Sequence, residues 1–585
     1  MYGFYGRVLK VDLTERCFDV VPLAEEILAD HLGGKGLGTR LLLDENPPGA
    51  DPLGPENRLI FATGPACNGP AWGGSRYGVY TKSPLTGLYC ESYAGGKVPE
   101  SMDSAGYDAI VISGRADRPM VLGVHPYGVD FHLARDLWGM ETYEAEDEAR
   151  ERFAPVGFSR PGAVVIGPAG ENRVRFALIE NDYWRSAGRG GTGAVMGSKN
   201  LKAVVFAGDR KRPLADPKGM AAQAKGFAAS GRDNPGVKAY KRFGTTMMVA
   251  LMNTAGAFPA RYWSQGTCEH WEKIAGEAYH AEHDVTPNAC RKCFMACGRL
   301  TTIKGGRRDG LRIEGPEYET IYAFGGLCMI EDMAEIAYLN DLCDRLGLDT
   351  ITGGNLCGLA IEAGLRGRIE PVVRYNDPDG CAALLRSIAA REGHGAVLAE
   401  GIRHAAQEWG LEDIAVHVKG MEPPGYDPRA LKGMGLTYAT TARGACHLRT
   451  TFYKPELSGM IPPERIEGKA EMLIDFEDRL ALFDCLVLCR FYRDMYSWEE
   501  LGKLVELLTG LPGDKARLQR IARRVVDLTR AFNLREGMSP DADRLPGRLT
   551  REALPDGKRV TEQEMARMTE EYYRLRGWPA QEPGA

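Results

Sequence analysis

The sequence predicts an α+β protein in which a strand-rich N-terminal domain forms a base and two mainly α-helical domains follow it. Three observations carry this. Before about residue 209, short apolar runs recur between closely spaced Gly and Pro: Leu9, Val11 and Leu13 alternate with Lys10 and Asp12, and Ala109 to Ile112, Ala163 to Ile166 and Ala203 to Phe206 read as strands. After the basic, proline-containing stretch Asp209 to Pro213 the period lengthens, and the segment Ala334 to Leu346 sets Ile336, Leu339, Asn340 and Cys343 at helical spacing. A weaker break at Glu422-Pro423-Pro424-Gly425 precedes helical patterns over Ala470 to Arg490 and Trp498 to Leu508. The expected domains are therefore 1–209, 210–422 and 423–585.

A chain of 585 residues exceeds what one ordinary hydrophobic core supports. With 44% hydrophobic and 26% charged residues it has the balance of a soluble globular protein with a large interior. A net charge of -6 leaves no general basic surface for a polyphosphate backbone, so nucleic acid is not an expected partner. The opening Met1 to Arg7 lacks the layout of a signal peptide, and no segment approaches the ~20 apolar residues of a membrane span. A cytoplasmic location is expected. Three of the 14 cysteines fall within eight residues, which points to metal binding in a reducing compartment rather than to disulfides.

Those three are Cys290, Cys293 and Cys297, in the pattern C-x2-C-x3-C. Thiolates are soft donors, and these spacings let one loop wrap an iron-sulfur cluster that takes a fourth cysteine from elsewhere. A structural zinc with four cysteine ligands could use the same loop. Cys328, Cys343, Cys357, Cys446, Cys485 and Cys489 are all available as the fourth ligand, and spacing does not choose among them.

Three glycine-dense stretches also stand out: Trp72 to Tyr77, Tyr93 to Lys97 with Gly95 and Gly96, and Arg185 to Gly193 with Ala187, Gly188 and Gly190. Glycine lets backbone N–H groups surround an anion, and Arg76, Arg185 and Arg189 add forked donors suited to phosphate. None of the three matches the P-loop or dinucleotide-binding pattern, so a nucleotide is not the natural ligand. Each taken alone reads equally well as a set of tight turns.

Along nearly its whole length the chain resembles the tungsten-containing aldehyde ferredoxin oxidoreductase family. The resemblance rests on Gly6 to Leu13, Thr81 to Gly87, Gly167 to Asn172, Gly193 to Lys202 and Glu314 to Glu319. It implies a strand-rich base for two pyranopterin dithiolenes that together hold one tungsten, with molybdenum as the alternative ion and magnesium bridging the pterin phosphates as an optional addition. The family grips its pterins with D-x-x-G-L-[DC] elements. Asp344-Arg345-Leu346-Gly347-Leu348-Asp349 fits fully, whereas Asp484-Cys485-Leu486-Val487-Leu488-Cys489 carries Val487 in place of glycine. The resemblance further implies that Cys489 completes a 4Fe-4S cluster with Cys290, Cys293 and Cys297, so that one short element reaches a pterin through Asp484 and the cluster through its thiolate.

For the chemistry the resemblance points to Glu319 and His447, one to activate water and the other to steady a developing oxyanion, in either assignment. It implies oxidation of an aldehyde to the carboxylic acid, with electrons leaving for a ferredoxin or a dedicated iron-sulfur subunit. Some relatives carry an E-x-x-H pair that binds a metal between two subunits. Here the matching positions are Tyr338 and Asp341, so no such metal is expected, although a homodimer through another surface fits. A second enzyme class, the tungsten-dependent benzoyl-CoA reductase subunit, is the rival reading, and retention of Glu319 and His447 favours the aldehyde. A zinc-stabilised binding scaffold is the non-enzyme rival.

Overall fold

The computed structural model describes residues 1–579. Two six-stranded sheets dominate the first part of the chain. The first contains β1 (Arg7–Asp12), β2 (Cys17–Pro22), β3 (Leu59–Ala62), β4 (Tyr77–Lys82), β5 (Tyr89–Ala94) and β6 (Ala109–Ser113) in the order β2-β1-β6-β3-β4-β5. The second contains β7 (Met120–His125), β8 (Gly128–Leu133), β9 (Gly162–Val165), β10 (Ile179–Asn181), β11 (Arg185–Ala187) and β12 (Leu201–Phe206) in the order β11-β10-β9-β12-β7-β8. Among the described residues, only the β1/β6 and β7/β12 pairs are parallel.

The alternation seen in the sequence explains how these sheets stack. Leu9 and Val11 of β1 join Ile110, Ile112, Leu122, Val204 and Phe206 in one core between the sheets. Val8, Ile60, Tyr80 and Val111 point the other way, into a core shared with Leu480, Phe483, Leu501 and Val525 far along the chain. The first sheet is thus apolar on both faces and locks the last segment of the chain onto the first. A small sheet of β13 (Asp284–Asn288), β14 (Gly298–Thr302) and β15 (Arg312–Glu314) brackets the cysteine loop inside the otherwise helical middle region.

Helices in the later regions follow the sequence expectation, with one correction. The α1 helix (Met333–Leu346) starts at Asp332, whose carboxylate accepts from the Ala334 N–H at 2.8 Å, and α2 (Thr350–Leu365) starts at Asp349 in the same way. Instead of running to Arg490, α3 (Lys469–Leu486) stops four residues earlier. Val487 turns into the left-handed region at φ 58°, and the Leu488 N–H reaches back to the Phe483 carbonyl at 2.7 Å. The α1 helix ends identically, with Gly347 at φ 78° and the Leu348 N–H on the Cys343 carbonyl at 2.8 Å. Both D-x-x-[GV]-L elements are therefore the same helix stop, one built with glycine and one with valine.

The Glu422-Pro423-Pro424-Gly425 stretch, which reads as a break in the sequence, is buried throughout. Tyr322 donates to the Pro423 carbonyl at 2.6 Å, and the hydroxyl of Tyr318 bonds the carbonyl of Gly425. The basic stretch at 209–213 is similarly anchored, because Arg212 is 8% exposed and pairs with Asp103 and Asp108, each at 2.7 Å.

Candidate active site and cysteine chamber

Each helix stop is seated against a glycine of the N-terminal region. A Cβ at Gly167 would lie 2.6 Å from the Leu346 carbonyl, and one at Gly34 would lie 2.1 Å from the Asp484 carbonyl. Close backbone approach requires glycine at both positions. The Leu178 N–H closes the first junction on the Gly347 carbonyl at 2.9 Å, and the Cys489 N–H closes the second on the Gly73 carbonyl at 2.8 Å. Asp344, Leu348, Asp349, Asp484, Leu488 and Cys489 consequently line one cavity of about 340 Å³. Gly347 shapes the turn behind this wall.

Glu319 and His447 face each other across the same cavity. Glu319 lies on a short helix, Tyr318–Thr320, continued by a wider π-helical turn over Ile321–Leu327, a distortion often found at functional sites. One carboxylate oxygen accepts from the Gly425 N–H at 2.9 Å, and the other lies 3.4 Å from His447 Nε2. Burial raises the Glu319 carboxyl to about 8, while burial and then Arg189 and Arg443 push the His447 imidazole well below its usual value. The pair is therefore a carboxyl that holds its proton more firmly than usual beside an imidazole that stays neutral. The Tyr426 ring lies 5.3 Å from the His447 ring and stacks at 4.3 Å on Tyr453.

A second cavity of about 220 Å³ holds Cys290, Cys293, Cys297 and Cys489 in its wall and shares Arg76, Tyr93, Trp184 and Glu314 with the first. The four thiols lie close enough that Cys489 and Cys290 each bear on the charge state of both Cys293 and Cys297. The Gly96 N–H points at Cys290 Sγ at 3.2 Å, and a Cβ at Gly95 would sit 3.0 Å from the same sulfur. Arg76 reaches Cys489 Sγ at 3.7 Å, and Tyr492 bonds Cys293 Sγ at 3.3 Å. The other cysteines considered as a fourth ligand lie outside this wall. Cys328, Cys343 and Cys357 belong to the helical core, Cys485 packs beneath the first sheet, and Cys446 binds Arg443 at 2.8 Å.

The arginines divide differently from the sequence expectation. Arg185 is paired with Glu314 beside the thiols. Arg189 uses Nε on Asp349 at 3.1 Å, Nη1 on the Ala445 carbonyl at 3.1 Å and Nη2 on the Glu422 carbonyl at 2.7 Å, so it brackets three segments together. Gly188 lines the main cavity, whereas Ala187 is packed between the sheets and Gly190 is buried against Cys90. The sequence reading missed Arg443, Arg449, Arg490 and Arg493, all in the wall of the main cavity. Arg449 Nη1 joins Asp484 at 2.7 Å to Glu91 at 2.9 Å. All four of these arginines flank His447 or Cys489 within four residues, and that clustering was the signal available.

Both chambers fit the groups that the resemblance implies. Arg449 Nε and Nη2, Arg490 Nη1, Arg493 Nε and Trp184 Nε1 are buried donors without an acceptor among the described residues. Such donors are costly unless a ligand's acceptors meet them, and phosphate and pterin oxygens and nitrogens are acceptors of that kind. Four thiols around a chamber of this size suit a polynuclear cluster, and the glycines at 95 and 96 leave the room that a side chain would fill.

An acid and an imidazole thus share a cavity with one thiol of a four-cysteine chamber. The chain belongs to the aldehyde ferredoxin oxidoreductase family: residues 8–208 match that family's N-terminal domain and residues 223–582 match its domains 2 and 3. It is 36% identical to the tungsten-containing aldehyde ferredoxin oxidoreductase of Pyrococcus furiosus, over 99% of this chain and 97% of that one. The enzyme of the same description from Thermococcus kodakarensis is also 36% identical, with the same coverage. A WOR-like subunit of an aliphatic sulfonate oxidoreductase from Pyrococcus furiosus is 30% identical over 92% of this chain and 87% of its own. Among solved structures, a chain of the active-site complex of benzoyl coenzyme A reductase superposes with a TM-score of 0.85 at 24% identity, covering 99% of this chain and 95% of that one. That likeness shows the fold.

Proposed function

We infer that this oxidoreductase converts an aldehyde to its carboxylic acid at a tungsten-bispyranopterin centre in the main cavity and passes the electrons through a 4Fe-4S cluster held by Cys290, Cys293, Cys297 and Cys489. The observation that carries the reading is the Glu319–His447 pair, 3.4 Å apart in a cavity whose wall also includes Cys489. Asp344, Asp349, Asp484 and the donors of Arg449, Arg490 and Arg493 would hold the pterins. When bound, the metal centre supplies Lewis acidity toward the carbonyl and accepts the electron pair.

The chain's own groups handle protons and position. In its carboxylate form Glu319 takes the proton from water adding to the aldehyde carbon, helped by a pKa close to the working pH. His447, kept neutral by burial and by its arginine neighbours, offers an N–H to the oxygen that gains charge. Tyr426 braces the imidazole. The acceptor is a ferredoxin or an iron-sulfur partner subunit. The described residues contain no helix long and apolar enough to cross a membrane.

Aldehyde-dependent viologen reduction by the purified protein tests this, with a 1,5-dienoyl-CoA, the reduced counterpart of benzoyl-CoA, and an alkanesulfonate as competing electron donors. Reduction with small aldehydes alone is expected. Activity confined to the dienoyl-CoA or to the sulfonate would replace the reading with the corresponding one. Elemental analysis for tungsten, molybdenum, iron and zinc separates all of these from a zinc scaffold.

A further inference from the structure

Outside the two chambers, a third concavity of about 650 Å³ opens on the N-terminal region. Eight basic and three acidic side chains line it, on a protein whose overall charge is -6. Four of the bases are paired with carboxylates, Arg150 with Asp147 and Arg212 with Asp103 and Asp108 among them, which leaves Lys97, Arg210, Lys211 and Lys292. Glu100 is shared by Arg160 at 3.2 Å and Arg291 at 2.6 Å, and Asp182 accepts the Lys97 and Val98 N–H groups. Lys97, Lys211 and Lys292 have no carboxylate partner among the described residues, and all three are exposed.

Its location gives the charge a purpose. Arg291 and Lys292 are the two residues between Cys290 and Cys293, and Lys97 follows Gly96, whose N–H touches Cys290 Sγ. The Arg291 N–H binds the Gly96 carbonyl at 3.3 Å, and Lys292 Nζ binds the Gly69 carbonyl at 3.2 Å. Part of the wall of the basic concavity is therefore the segment that joins Cys290 to Cys293. We propose that this concavity is the docking surface for an acidic iron-sulfur carrier protein, held by Lys97, Lys211, Arg160 and Lys292 directly over the cysteine chamber. The inference rests on the proposed aldehyde oxidation. An aldehyde and water give a carboxylate, three protons and two electrons, and two oxidised carrier clusters leave reduced by one electron each. Complementary charge attracts the carrier to this face and repels it from the rest of an acidic molecule, which raises its association rate and makes it salt-dependent.

The test uses the full holoenzyme carrying Lys97→Glu, Arg160→Glu and Lys211→Glu together, with a purified acidic 2[4Fe-4S] ferredoxin as the probe. Association is followed by stopped flow or biosensor between low and high salt, and turnover is measured with the ferredoxin and with a viologen dye. Expected are a fall of about tenfold or more in ferredoxin association rate, a flattened salt dependence, and unchanged aldehyde-to-dye turnover. Unchanged ferredoxin association in the triple variant overturns the proposal. So does competition by inorganic phosphate or a nucleotide at micromolar levels, which would make the concavity a small-anion site. Absence of dye reduction by wild-type enzyme with any aldehyde would count against the aldehyde reading, while ferredoxin association would still report on the docking surface.

Discussion

His447 Nε2 lies 3.4 Å from Glu319 Oε1, and neither His447 Nδ1 nor that carboxylate oxygen has a hydrogen-bond partner among the described residues. The two groups come from regions of the chain more than a hundred residues apart and are held by a Gly425 amide and a tyrosine stack. They are positioned by the fold yet left free to bond something else.

Replacing Glu319 by Gln should lower kcat by about 10² to 10⁴ with a smaller effect on KM, the range for loss of a positioned general base. If Glu319 acts as the base, wild-type activity rises with pH through the carboxyl's value of about 8, because only the carboxylate can take the proton. That limb disappears in Glu319→Gln. A pH–rate profile from 6 to 9.5 checks both, and a surviving limb would assign the titration to another group.

Cys489→Ala should lower iron per chain from about four and change the reduced cluster's EPR signal. Cys357→Ala, at a buried thiol in the helical core, should leave iron content intact. Iron analysis of both variants compares them directly, and equal iron contents would remove Cys489 from the ligand set.

Arg212→Met should destabilise the protein by about 3 to 5 kcal/mol, because it leaves Asp103 and Asp108 charged and buried without their common partner. The measure is the denaturant midpoint of the holoenzyme. A shift no larger than that of a surface arginine such as Arg524 would mean that the ion group carries little of the stability.

The two helix stops give a paired prediction. Gly347→Ala forces a Cβ into the left-handed region and to 3.0 Å from the Gly167 nitrogen, which should cost about 1 to 3 kcal/mol. In Val487→Gly, relief of about 1 to 2 kcal/mol of backbone strain is set against the loss of roughly as much side-chain burial, so stability should change by less than about 1 kcal/mol. Comparing the two midpoints tests whether the stops are equivalent.

Much of this architecture was legible because it rests on local pattern. Leu9 and Val11 declared their face by alternation, and Asp349 and Gly347 stand where helix chemistry needs a cap and a left-handed turn. Resemblance, rather than spacing, singled out Cys489 among six possible thiols. The partners of Arg185 and Arg189 could not be read, since Glu314, Asp349 and the Ala445 and Glu422 carbonyls meet them only through the tertiary fold. The burial of the Glu422 to Gly425 stretch was unreadable for the same reason: two prolines and a glycine mark a bend in the chain, and nothing in composition says whether water or protein surrounds it.

The burial of that bend bears on how the molecule can be handled. Its carbonyls are tied to Tyr318, Tyr322 and Arg189, and the segment beyond it shares its apolar interior with the first sheet. A fragment cut there would expose two halves of one core. Limited proteolysis of the native enzyme should leave this bend intact while nicking exposed tips elsewhere.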